Sequence, residues 1–98
     1  MGGPDGERTL AIYVVTYDLK QPGRNYAPVH EYLKRFTYCK GLESVWLLDT
    51  TATPATIRDQ LRSLVDGNDS VFVARLQGEW ASFNYGCGEW LNDPKRNW

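Results

Sequence analysis

Between Leu10 and Asp18 the chain reads LAIYVVTYD, nine residues in which the first charge is the closing Asp18. In an extended backbone Leu10, Ile12 and Val14 share one face, and Ala11, Tyr13, Val15 and Tyr17 share the other. Both faces are apolar. Such a strand belongs in the interior of a sheet covered on both sides, because a half-wet strand would alternate with polar residues. This requirement shapes the rest of the reading: any fold for this chain must supply two layers of cover.

The sequence after Asp18 supplies one layer readily. Leu19–Asn25 (LKQPGRN) reads as a loop. Asn25 stands as a helix cap with Pro28 in the first turn, and Val29, Tyr32, Leu33 and Phe36 follow at the spacing of a helical apolar stripe. His30, Glu31, Lys34 and Arg35 take the outer face. Extended structure is expected from Thr37 to Thr50, with Gly41 separating a short strand near Tyr38–Leu42 from the clearer SVWLLDT. Thr53-Pro54 is a strong helix start, with Ile57, Leu61, Leu64 and Val65 facing inward. Asp66-Gly67-Asn68-Asp69 stops that helix, and SVFVARL (Ser70–Leu76) is a further strand.

The order β-α-β(β)-α-β predicts an α+β, ferredoxin-like βαββαβ sandwich: an antiparallel sheet with two helices on one face, plus an aromatic C-terminal tail. Residues 9–98 form one domain, with the tail at 78–98; the Gly-rich opening makes residues 1–8 a disordered leader. Two helices cover one sheet face only. The second must be covered by the tail, which holds Trp80, Phe83, Trp90 and Trp98, or by another copy of the chain. A homodimer is the economical expectation.

Charge and cysteine content exclude several classes of function. Eleven Lys and Arg against twelve Asp and Glu give a net charge of -1, so no global basic field steers this chain to nucleic acid. Cys39 and Cys87 stand far apart with no CxxC, and read as two buried thiols. No apolar run reaches the roughly 18 residues of a membrane span, and no signal-peptide pattern is present. A cytoplasmic protein without a membrane partner is the expectation. GxxxxGK[ST], GxGxxG and HExxH are all absent.

Among the candidates for chemistry, Asp18 comes first, since it closes a buried strand where a Gly/Pro loop begins. A carboxylate there can ligate Mg²⁺, although one per chain is a poor site and two across a dimer axis would be a better one. Its simpler role is to initiate the turn by capping a loop N–H. His30 is the only histidine and reads as a solvated surface residue, which disfavours nucleophilic hydrolase chemistry. Lys20, Arg24, Lys34, Arg35 and Lys40 form a candidate phosphate-contacting surface, joined by Arg58 and Arg62, or else solvated helix faces.

The segments VVTYDL (Val14–Leu19), SVW (Ser44–Trp46), the Pro-started second helix and SVFVARL resemble the CRISPR-associated Cas-two family, most closely its short stand-alone SinR-like relatives. The likeness runs from about Leu10 to Leu76 and into the Trp-Leu at Leu91. It implies a ferredoxin-like homodimer packed through sheet faces. It also implies that Asp18, preceded by the matching Tyr17, is the Mg²⁺ ligand and catalytic group of a phosphodiesterase acting on RNA or DNA. Basic residues after the Asp are matched loosely by Arg24. Trp46 stands where the family's Ser-Val-Phe has Phe, and the acidic balance and aromatic tail also depart from the family pattern. In adaptation complexes the family's subunit works as a scaffold that does not need its nuclease activity. Two readings follow: a Mg²⁺-dependent endonuclease, and a non-catalytic dimer that binds nucleic acid or a protein partner.

Overall fold

The computed structural model describes residues 10–23, 25–96 and 98; the leader expected at residues 1–8 lies outside them. In chain order the elements are β1 (Ala11–Asp18), α1 (Ala27–Leu33), β2 (Thr37–Leu42), β3 (Val45–Thr50), α2 (Pro54–Arg62), β4 (Ser70–Arg75) and α3 (Gly88–Asn92). The strands make one antiparallel sheet in the order β2-β3-β1-β4. The chain is therefore α+β, and β1 takes the interior position that its two apolar faces demand. None of the described helices is long and apolar enough to cross a membrane.

One sheet face carries the larger core. Tyr13 and Val15 of β1 and Trp46 and Leu48 of β3 pack beneath Val29 and Leu33 of α1 and Ile57 and Leu61 of α2. Helix α2 begins as its sequence directs: the Thr53 hydroxyl accepts from the Thr56 backbone N–H at 3.1 Å, and Pro54 opens the first turn. Helix α1 is shorter than its stripe suggests. It ends at Leu33, so Phe36 packs from the turn that follows, and Asn25 does not cap the helix. Its side-chain oxygen instead accepts from the Ala27 N–H at 3.0 Å, an Asx turn ahead of the first helical residue.

The tail covers most of the opposite face. Ile12 of β1 and Leu47 of β3 are buried there against Cys87 and Leu91, with Trp80, Tyr85, Trp90 and Trp98 packed around them. The tail thus supplies on this face most of the cover expected from a second copy. The cover stops at β4, which is an edge strand. Phe72 shares the face of Thr16, its partner in register, yet remains 63% exposed, so β4 is not buried on both faces.

Three long-range features hold the tail. Cys39 of β2 and Cys87 form a disulfide with a Cα–Cα distance of 6.0 Å, which corrects the expectation of two free thiols. The Arg96 guanidinium lies 4.6 Å from the Trp90 ring centre and donates to Asp49 Oδ2 at 3.0 Å, both charged side chains being at least nine-tenths buried. Gly41, expected to separate two strands, instead lies inside β2; the turn between β2 and β3 is at Glu43 and Ser44. Its missing side chain admits Tyr85, and a β-carbon there would sit within 3.0 Å of three carbons of that ring. Gly41→Ala should therefore cost about 1–3 kcal/mol, the usual range for overpacking. Urea unfolding would measure it, and an unchanged midpoint would mean that Tyr85 does not pack on Gly41.

Candidate functional site

The residues singled out for chemistry separate into two places. Asp18 ends β1 with its carboxylate 72% exposed, and its ion partner among the described residues is the Lys20 ammonium at 3.8 Å. It lines a shallow cleft of about 210 Å³ with Thr16, Tyr17, Ser70, Val71 and Phe72. The turn after β1 is capped from elsewhere. Asp69 accepts from the Lys20 backbone N–H at 2.8 Å and from the Tyr26 hydroxyl at 2.6 Å. The role that sequence offered to Asp18 thus belongs to Asp69, whose own turn motif hid it. Asp18 is left facing solvent.

The second place is built around Trp46. Its position in β3, opposite Val15 and Lys40, aims the indole at the helix-covered face, where it is 1% exposed. Tyr17, two residues beyond Val15, emerges on that same face. The indole Nε1 donates to the Tyr17 hydroxyl at 3.0 Å. His30 of α1 stacks on the indole with ring centres 6.0 Å apart, Tyr38 lies at 5.2 Å, and the Lys40 ammonium sits 5.4 Å from the ring centre. His30 is therefore half-buried against an aromatic, rather than solvated as its sequence position suggests.

The electrostatics follow from that packing. Burial lowers the His30 pKa below its ordinary 6.5, and the positive charges of Lys40 and Lys34 lower it further, with Glu43 opposing. The imidazole is neutral at neutral pH. Burial raises the Tyr17 phenol above its ordinary 10.0, the Trp46 hydrogen bond pulls it back, and the Glu43 charge adds to the rise. Tyr17 keeps its proton at neutral pH, and its oxygen already accepts a bond, so it is poorly suited to serve as a base.

Of the five expected phosphate contacts, Lys40 of β2 sits over the Trp46 ring on which His30 stacks, and the charge of Lys34, the residue that caps the end of α1, also acts on His30. Lys40 also approaches Glu43 at 3.8 Å. Lys20 stays with Asp18, Arg35 acts on Tyr32 instead, and Arg24 lies outside the described residues. For Mg²⁺, one chain offers one exposed carboxylate at this place. Asp18 is a single carboxylate with an ammonium beside it, and no group of three His, Cys, Asp or Glu among the described residues is arranged to hold a metal. No protein-family model matches this chain, and no solved structure matches it significantly.

Proposed function

We propose that this chain is a ferredoxin-like, Cas-two-like domain that works as a nucleic-acid-binding homodimer, without cleavage as its primary role. The strand order β2-β3-β1-β4, with α1 and α2 packed on one face, is compatible with that sandwich. The observation that carries the binding role is the Lys40 ammonium over the Trp46 ring beside His30, with the Lys34 charge acting on the same imidazole and Tyr38 exposed on the same aromatic cluster. Two ammonium groups next to an accessible ring offer a phosphate contact and a stacking surface together. The local patch does this in spite of the net charge of -1. For the dimer, exposed Phe72 on the edge strand supplies an apolar contact next to Asp18.

The second reading, a Mg²⁺-dependent endonuclease, is favoured by the exposure of Asp18 alone. It requires a second carboxylate, which a partner copy meeting at β4 would bring. The cross-link also bears on the compartment. Disulfides persist in oxidising surroundings and are rare in the cytosol, so the cytoplasmic expectation must contend with reductants that oppose the Cys39–Cys87 bond.

The test is fluorescence anisotropy with labelled single-stranded RNA and duplex DNA, in Mg²⁺ and in EDTA. Binding should weaken with salt, and Lys34→Gln with Lys40→Gln should reduce the duplex salt slope by about 2, one unit per lost phosphate contact. Absence of binding to either nucleic acid ends this reading. Mg²⁺-dependent strand cleavage that disappears in Asp18→Asn would move the protein to the nuclease class.

A further inference from the structure

We infer that the cleft between the sheet's second face and the tail is a binding site for a small, uncharged, apolar molecule of two or three aromatic rings. The cleft is separate from the Trp46 cluster and from Asp18, and encloses about 400 Å³. That lies within the range of small-molecule sites, about 300–1,000 Å³. Val14, Val45 and Leu47 form its floor, and Trp80 and Tyr85 stand along its wall. Among the described residues no charged side chain lines it, so an anion or cation would lose hydration there without compensation. Ser82 and Asn84 contribute the few polar groups, enough to orient a ligand carrying one hydroxyl or amine.

Two observations distinguish this cleft from incidental roughness. Its lining includes Leu42 and Phe83, two large apolar side chains left 56% and 88% exposed. Apolar residues kept in water around an apolar cleft gain cover when a ligand arrives. The wall is also held at both ends by long-range bonds. At one end the Leu76 N–H donates to the Ile12 carbonyl at 2.7 Å. At the other, Tyr85 rests on Gly41 and Cys87 is bonded to Cys39. Residues 77–84 therefore span the sheet as a strap anchored at each side. A cleft kept open before a ligand arrives avoids the ordering cost that weakens binding to flexible segments. The cross-link is thus a determinant of the site: it fixes one end of the strap to β2.

The test uses N-phenyl-1-naphthylamine, an uncharged probe whose fluorescence rises in apolar surroundings, titrated into the full chain with its disulfide intact. The expected result is saturable binding of one probe per chain. Leu42→Lys, at an exposed position that does not threaten the fold, should weaken it about tenfold or more by placing a charge at the cleft. Gln60→Lys, which places the same charge on the exposed side of α2 across the other face of the sheet, should leave affinity unchanged. Reduction with tris(2-carboxyethyl)phosphine should weaken the saturable phase as the strap loosens. Absence of saturable binding overturns the site. So does binding insensitive to Leu42→Lys, or weakened equally by Gln60→Lys, since either puts the probe elsewhere. Equal affinity before and after reduction overturns the role given to the cross-link.

Discussion

Replacing Trp46 with Ala should lower the unfolding free energy by about 3–5 kcal/mol, the range for truncating a buried Trp. The indole is 1% exposed and is the largest of the fully buried side chains. Its removal leaves a void beneath α1 that neighbours fixed in the sheet cannot close fully. It also deprives the Tyr17 hydroxyl of its 3.0 Å donor and takes away the ring on which His30 and Tyr38 rest. Domains of this class have about 5–15 kcal/mol in hand, so the variant would retain a marginal fold at best. Trp46→Phe separates the effects. It keeps most of the apolar contact and loses the hydrogen bond, which should cost about 1–2 kcal/mol with some additional cavity loss. Urea unfolding with an unchanged m-value gives both numbers. A cost below about 1 kcal/mol for Trp46→Ala would mean that the indole is not the hub of this core.

Removing the cross-link should have an effect of similar size. Cys39 and Cys87 are 48 residues apart, and the chain-entropy relation assigns a loop of that length about 4 kcal/mol of stabilisation. Cys39→Ala with Cys87→Ala should shift the urea midpoint accordingly, and wild type in reductant should follow it. The loss should concentrate in the tail. Once the bond is gone, the tail is held to the sheet by the Arg96–Asp49 pair and apolar contact. Hydrogen exchange at the Leu91 amide, which donates to the Cys87 carbonyl at 3.0 Å, would report this opening directly. Wild-type unfolding that ignores reductant would exclude a stabilising bond between β2 and α3.

A double role for the tail makes both experiments informative about function. The Trp46 cluster and the tail belong to separate apolar clusters on opposite faces of the sheet. Loosening the tail should leave the Lys34 and Lys40 patch in place, whereas Trp46→Ala should disturb it. A nucleic-acid affinity that survives reduction and falls in Trp46→Ala would match that arrangement.

Much of the architecture was legible in residue order. The doubly apolar run Leu10–Asp18 identified an interior strand, and the stripe Val29, Tyr32, Leu33 and the Thr53-Pro54 start identified the two helices that cover one face. These are statements about short spans, where side-chain period and capping chemistry act within a turn or two of backbone. The exact helix end at Leu33 escaped because Phe36 continues the apolar spacing from outside the helix. The site was legible in part: Asp18 lies at its strand end as expected, but nothing local indicated that Asp69 would take over the turn or that His30 would stack on Trp46.

What residue order determined by itself, then, was which segments extend, which coil, and that β1 needed cover on two sides. Only the tertiary structure decided what the second cover is. Cys39 meets Cys87 across 48 residues, Arg96 meets Asp49 across 47, and Trp46 meets Tyr17 across 29. Apolar periodicity reports that a side chain leaves water and carries no record of its eventual neighbour. The entropy of closing a loop varies only slowly with its length, so chain distance cannot choose among partners either. That choice falls to shape and polar matching in the assembled core, and here it placed the aromatic tail of the chain itself where a second copy had been expected.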